Sequence, residues 1–124
     1  MTKTILFSFF ALFYVFISCK TYDEMSNPEL LEELKAVSAK SDFSSQLAII
    51  EILAKRKVLE AVPIFCNIYN NSPNISENLI LINTKILNAV KEFGKNTSTT
   101  LINIIITGNE NAKRNSVNFL LVFL

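Results

Sequence analysis

The chain has 124 residues, the size of one small domain, and half of them are hydrophobic while only two are glycine and three are proline. This composition excludes a disordered chain and a collagen-like chain. Twelve basic residues balance eleven acidic ones and histidine is absent, so the chain lacks both the basic field of a nucleic-acid binder and the commonest general base and metal ligand. We therefore expect no nucleic-acid partner, no metal and no cofactor.

The first element is an apolar block from Ile5 to Ile17, which follows Lys3 and is followed by Ser18 and Cys19. A membrane-spanning helix needs about 20 apolar residues, whereas the apolar part of a secretory signal has about 7 to 15. The block therefore predicts a signal sequence. An uncleaved membrane anchor and an ordinary cleaved signal are the alternatives, and the large Phe16 makes the ordinary cleavage site poor.

The residues Phe16-Ile17-Ser18-Cys19 resemble the lipobox of bacterial lipoproteins, although that family usually has leucine where Phe16 stands. The resemblance implies cleavage between Ser18 and Cys19 and acylation of Cys19. It also implies a location in the cell envelope, on the extracytoplasmic side of a bacterial membrane. We accordingly expect a signal peptide over residues 1–18, a polar tether over 19–27 and a folded domain over 28–124.

Apolar spacing at the helical period predicts that the folded domain is all-α. Asn27 and Pro28 favour a first helix start, Ser41 or Asp42 caps the second helix, and Gly94 provides a C-cap for the fourth. The predicted helices are 28–39, a second one that ends at the basic residues 55–57, 59–69, 77–93, 97–107 and 111–124. The expected inward positions are Leu30, Leu31, Leu34, Val37, Phe43, Leu47, Ile50, Ala54, Ala61, Val62, Phe65, Ile68, Leu79, Ile82, Ile86, Val90, Phe93, Leu101, Ile104 and Ile105.

An internal repeat is visible at an offset of 37 residues, since 46–53 aligns with 83–90 and 61–65 with 98–102. The segment 45–65 resembles HEAT repeats of the short bacterial kind. The resemblance implies a short α-solenoid of about two and a half helix pairs, in which residues 111–124 begin a third unit. An irregular helical bundle is the alternative, and the chain could also be a shortened accessory subunit of a longer repeat protein.

In such a solenoid the second helices of successive units line a concave face, which would place Asn67, Tyr69, Thr99 and Asn103 on a candidate binding face. Residues 119–124 have no polar helix after them, so we expect this apolar end to dock on a protein partner. Cys66 is expected in the core, because without histidine nothing activates its thiol. Residues 55–57 are expected to be a solvated helix end. We find no catalytic motif and predict a non-catalytic interaction or scaffold protein.

Overall fold

A computed structural model describes residues 21–123, and in this range the chain forms α-helices and no β-strand. The all-α prediction is therefore confirmed for the described residues. The helices are α1 (Asn27–Ala39), α2 (Phe43–Lys55), α3 (Val62–Ile68), α4 (Glu77–Phe93), α5 (Ser98–Thr107) and α6 (Glu110–Leu121).

Four of the helices begin at a polar side chain that accepts a hydrogen bond from a backbone N–H of the first turn. These caps are Ser26, Asp42, Ser76 and Asn109. Ser26 forms a complete capping box with Glu29, so the cap of α1 lies one residue before the predicted Asn27. Such a cap stabilises a helix by about 1 kcal/mol.

Two helices end at a non-glycine residue with a left-handed backbone, Ser41 (φ 56°) after α1 and Lys57 (φ 54°) after α2. In each case the following N–H reaches back over the helix end, from Asp42 to the Val37 carbonyl at 3.0 Å and from Val58 to the Leu53 carbonyl at 3.1 Å. These are Schellman motifs, which satisfy carbonyls that the helix leaves open. Gly94 ends α4 as predicted, with φ 71° and ψ −159°. Its φ is positive, but its backbone lies outside the left-handed helical region that a C-cap glycine usually adopts.

The predicted third helix, 59–69, is divided in the structure. Leu59–Ala61 forms a single 3₁₀ turn, and α3 begins only at Val62. Pro63 then lies in the first turn of α3, where its missing N–H costs no intrahelical bond.

The core lies where α2 packs against α1 and α4, and where α6 packs against α5 and α3. Phe65 and Phe93 stack in it with ring centroids 6.4 Å apart. The largest fully buried side chains are Phe65, Phe119, Leu30, Leu34, Ile49, Ile50, Leu53, Ile82, Ile86, Leu101, Val62 and Val90.

The inward face of α2 differs from the predicted one. Phe43, Leu47 and Ala54 are only half-buried, while α2 fully or almost fully buries Gln46, Ile49, Ile50 and Leu53. The helical period is the same, but the buried stripe is centred elsewhere because α2 lies between two helices rather than against one. Ile104 and Ile105 of α5 are also half-buried rather than internal.

The C-terminal segment is less exposed than its apolar sequence suggests. Phe119 is fully buried, with its ring edge-on to Tyr69 at a centroid distance of 5.2 Å and an angle of 89°. The expectation that residues 119–124 form one open apolar end is therefore wrong at Phe119. Val117 and Leu121, which point outward, are the exposed hydrophobic residues of α6.

The predicted tether is not a free linker over residues 21–27. Tyr22–Glu24 forms a 3₁₀ turn, and Tyr22 and Met25 pack against the core. The Arg56 guanidinium donates hydrogen bonds to the Asp23 carbonyl at 2.9 Å and to the Met25 carbonyl at 2.8 Å. Residues 55–57 were predicted to be a solvated helix end. Arg56 instead binds the backbone of residues 23 and 25 and holds the start of the domain against the end of α2.

Replacing Arg56 with alanine is expected to loosen residues 22–25. The variant loses these two hydrogen bonds and a third one, to the Asn27 side chain at 3.1 Å. We expect a loss of at least about 1 kcal/mol of local stability, which corresponds to roughly fivefold faster amide hydrogen exchange. The amides to follow are those of Glu24 and Met25, which bond within the turn. Lys55→Ala is the matched control, because within residues 21–123 the Lys55 ammonium pairs with Glu51 alone, at 4.0 Å on the surface. Unchanged exchange in Arg56→Ala would mean that the packing of Tyr22 and Met25 alone holds the segment.

Candidate functional site

A polar cleft, here called the asparagine cleft, lies between the end of α3, the loop that follows it and the first half of α6. Its volume is about 440 Å³. The lining is dominated by neutral amides, with one guanidinium at the exposed Arg114. The lining residues are Asn67, Ile68, Tyr69, Asn70, Asn71, Ser72, Pro73, Asn111 and Arg114.

Asn115 of α6 bonds to the backbone at the end of α3, next to the asparagine cleft. Its side chain is fully buried, and its amide nitrogen donates to the Cys66 carbonyl at 2.7 Å and to the Tyr69 carbonyl at 2.9 Å. The last carbonyls of a helix have no intrahelical partner. Asn115 therefore caps the end of α3 from a helix about fifty residues later in the chain.

The loop after α3 is fixed by further asparagines on both sides. Asn71 donates to the Asn115 side-chain oxygen and accepts from Asn118 at 3.2 Å. On the other side, the Asn83 side chain exchanges two hydrogen bonds with the backbone of Asn70, at 3.0 and 2.8 Å. These hydrogen bonds hold the loop against α6 and α4, so the shape of the asparagine cleft does not depend on a ligand.

The structure brings only part of the predicted binding face together. Asn67 and Tyr69 line the asparagine cleft. Asn67 is exposed, donates to the Pro63 carbonyl at 3.2 Å and accepts from Asn109 at 3.2 Å. Thr99 and Asn103 are exposed on α5 and do not line the cleft.

Several residues of the site were missed because they lie on first helices rather than second ones. Asn115 lies between Arg114 and Ser116 in α6, and Asn83 lies between Ile82 and Thr84 in α4. The density of asparagine over 67–74 and 109–118 was the available signal. The sequence shows that asparagines are frequent in these segments, but which asparagines form hydrogen bonds with one another depends on how α6 crosses α3.

A second cleft, here called the apolar cleft, lies on the other side of the α3 end. It is formed by the end of α1, the start of α2, α3 and the start of α4, and has a volume of about 470 Å³. Asn67 and Ile68 line both clefts. The lining residues are Lys35, Ser38, Ala39, Ser41, Phe43, Gln46, Ile64, Asn67, Ile68 and Leu79.

Cys66 is a free thiol buried between α3 and α6. Burial raises the pKa of the Cys66 thiol, and a contact of 3.4 Å with the Ser116 hydroxyl lowers it in part. The thiol stays protonated at neutral pH, and a protonated thiol is a poor nucleophile. The prediction that Cys66 is a core residue is confirmed.

Two features are absent from residues 21–123: a group of side chains that could hold a metal ion, and a helix that could span a membrane. Within residues 21–123 no three cysteine, aspartate or glutamate side chains are grouped in a way that could hold a metal ion. Across the same residues, no helix combines the length and hydropathy needed to span a bilayer. Ser18 and Cys19, the predicted cleavage and lipidation residues, lie outside the described range.

Comparison with known proteins identifies no relative of this chain. No family model, no curated protein and no solved structure matches the chain.

Proposed function

We propose that this chain is a bacterial lipoprotein whose helical domain binds another protein on the extracytoplasmic side of the membrane. In this proposal acyl chains on Cys19 anchor the protein, and the domain has a non-catalytic, scaffolding role. The support comes from the sequence Phe16-Ile17-Ser18-Cys19 and from the position of the clefts relative to that sequence.

The folded domain begins very soon after Cys19. Tyr22 already packs on the core, and a chain from residue 19 to 22 reaches at most about 11 Å. Arg56 binds the carbonyls of Asp23 and Met25, so an anchor at Cys19 would hold the start of α1 and the end of α2 near the lipid headgroups.

The observation that carries the proposal is that both clefts lie at the opposite end of the α1–α2 pair. Ser38 and Ala39, at the end of α1, line the apolar cleft together with Phe43, at the start of α2. α1 has 13 residues, which at 1.5 Å each makes it about 20 Å long. An acylated Cys19 would therefore leave the two clefts facing the aqueous compartment, where a protein partner has access to them.

A HEAT-like arrangement is part of the same proposal. α2 and α4, the first helices of the two repeat units, run side by side in the same direction. Phe43 shares a cleft with Leu79 near the start of both helices, and Ala54 shares one with Ala89 near their ends. Equivalent helices of successive repeats pack in this way. α6 departs from a simple stack, because it packs against α3 as well as α5.

The deciding experiment is the intact mass of the native protein extracted from membranes with detergent. We expect a mass that lacks residues 1–18 and carries acyl groups on Cys19, because two or three acyl chains hold a protein stably in a bilayer. Salt alone should not release the protein.

Two cysteine variants make the experiment specific. Cys19→Ala should give an uncleaved, unacylated chain, while Cys66→Ala removes the other thiol and should leave the processing unchanged. A full-length, unmodified mass for the native chain would contradict the proposal and favour an uncleaved N-terminal anchor.

A further inference from the structure

The apolar cleft contains two polar groups that the protein leaves without a hydrogen bond. In the part of the chain that the structure describes, the buried Ser38 hydroxyl has no partner. Gln46 is only 3% exposed, and among residues 21–123 its side-chain amide makes no hydrogen bond either. Both residues line the cleft. The Gln46 amide is not among the fully buried side-chain atoms without a partner. It therefore faces the space of the cleft, where it is open to a hydrogen bond from water or from a ligand that replaces the water.

The walls of the cleft define the rest of that ligand. The apolar residues that line the cleft with Gln46 are Ala39, Phe43, Ile64, Ile68 and Leu79. A volume of about 470 Å³ and an apolar lining with a few polar groups are typical of ligand sites. A ligand that fills this cleft would therefore need an apolar group.

The charge of the cleft favours a neutral ligand. Among the described residues that line it, Lys35 alone is charged, and its ammonium lies 3.1 Å from the Glu32 carboxylate. A charged ligand would lose hydration in the cleft without gaining a free counter-charge.

An amide is the group that best satisfies Gln46. A carboxamide presents a donor and an acceptor side by side, and the backbone N–H and C=O of one extended peptide residue present the same pair in the complementary order. Asn83 and the backbone of Asn70 show this two-bond exchange elsewhere in the protein, at 3.0 and 2.8 Å. A peptide residue with an aliphatic side chain combines this group with the hydrocarbon that the walls require.

We infer that the apolar cleft binds an aliphatic residue of a neutral peptide segment from the partner protein, with the backbone N–H and C=O of that residue hydrogen-bonded to the Gln46 amide. The inference specifies what the proposed interaction domain binds on its partner protein. It rests on the proposed function because it takes the peptide to be part of that partner.

The test uses the full-length chain in detergent and a blocked amino acid, N-acetyl-leucine methylamide, as the probe. Gln46 is the one glutamine of the sequence, so glutamine labelled with ¹⁵N at the side-chain amide gives a single pair of NMR signals. We expect these signals to shift on titration, with a dissociation constant on the order of 1 mM for so small a ligand. No shift at concentrations about twentyfold above that constant would overturn the inference.

Gln46→Leu tests the role of the amide. The variant replaces an amide that has no hydrogen bond to residues 21–123 with an apolar side chain of similar volume, so we expect the thermal unfolding temperature to stay the same or to rise. Probe binding, followed by isothermal titration calorimetry, should weaken at least about tenfold, as expected for the loss of a paired polar group. A lower unfolding temperature would mean that the amide is paired within the protein, and unchanged binding would mean that it does not contact the ligand. Either result would overturn the inference.

Two controls separate the alternatives. Asn88→Leu makes the same kind of replacement at an exposed position of α4 outside the apolar cleft and should change neither the binding nor the unfolding temperature. N-Methylisovaleramide carries the aliphatic group, but its trans amide points the N–H and the C=O in opposite directions. It can make only one of the two bonds to Gln46 and should bind more weakly than the probe. Equal binding would point to a free small amide and would contradict the peptide source. The lipid anchor at Cys19 is tested separately by the intact mass of the protein. A failure of the peptide-binding inference can therefore be distinguished from a failure of the proposed lipoprotein function.

Discussion

Replacing Phe119 with alanine is expected to lower the free energy of unfolding by about 3–5 kcal/mol, because a large aromatic ring is removed from a site that cannot refill. Phe119 is fully buried in α6, and its ring meets Tyr69 edge-on at 5.2 Å. Small domains have only about 5–15 kcal/mol of stability in total, so the variant should unfold at a much lower urea concentration. Urea denaturation followed by circular dichroism measures the shift in midpoint.

Leu121 is the matched control, since it lies two residues further along α6 and is 57% exposed. Leu121→Ala should change the free energy of unfolding by less than about 0.5 kcal/mol. Equal effects at both positions would contradict the burial of Phe119 described above. A glutamate intended to improve solubility therefore belongs at Leu121, because at Phe119 it would place a charge in the core.

The helices were predictable because their ends carry local signals. α4 begins and ends where the sequence predicts, after Ser76 and at Gly94. A cap depends on residues within one turn of the helix end, so it can be recognised without knowing what the helix packs against. The 3₁₀ turn before α3 was missed because its sequence, from Leu59, continues the apolar period of the helix.

The buried faces were less predictable because they depend on neighbouring helices. The pattern of α2 identified Ile50 but placed Phe43 and Leu47 inward, whereas α1 and α4 together enclose Gln46 and Leu53. Phe119 was assigned to an open end because nothing in the sequence shows that α6 crosses back over α3. Arg56 was assigned to solvent for the same kind of reason, since its partners lie about thirty residues earlier.

The candidate site was predicted only at Asn67 and Tyr69, which line the asparagine cleft. The other asparagines join the site through pairs such as Asn71 with Asn115, which are 44 positions apart. Residue type alone does not distinguish a paired asparagine from a solvated one, because an amide suits both environments.

Replacing Asn115 with alanine is expected to lower the free energy of unfolding by about 2–4 kcal/mol, because two carbonyls lose their donor at 1–3 kcal/mol each. These are the Cys66 and Tyr69 carbonyls, at 2.7 and 2.9 Å from the Asn115 amide nitrogen. Chemical denaturation gives the change in stability. Amide exchange over residues 69–72 reports whether the loop of the asparagine cleft opens as well, since Asn71 also loses its partner.

Asn118→Ala is the control for this prediction. Asn118 is exposed one turn later on α6 and donates to the same Asn71 at 3.2 Å, but it contacts no helix-end carbonyl. Its loss should cost less than about 1 kcal/mol, as for an exposed hydrogen bond. If Asn115→Ala cost no more than Asn118→Ala, the end of α3 would be stable without Asn115. The asparagine cleft would then depend on Asn70 and Asn83 alone, and ligand binding there would have to tolerate a loop that moves away from α6.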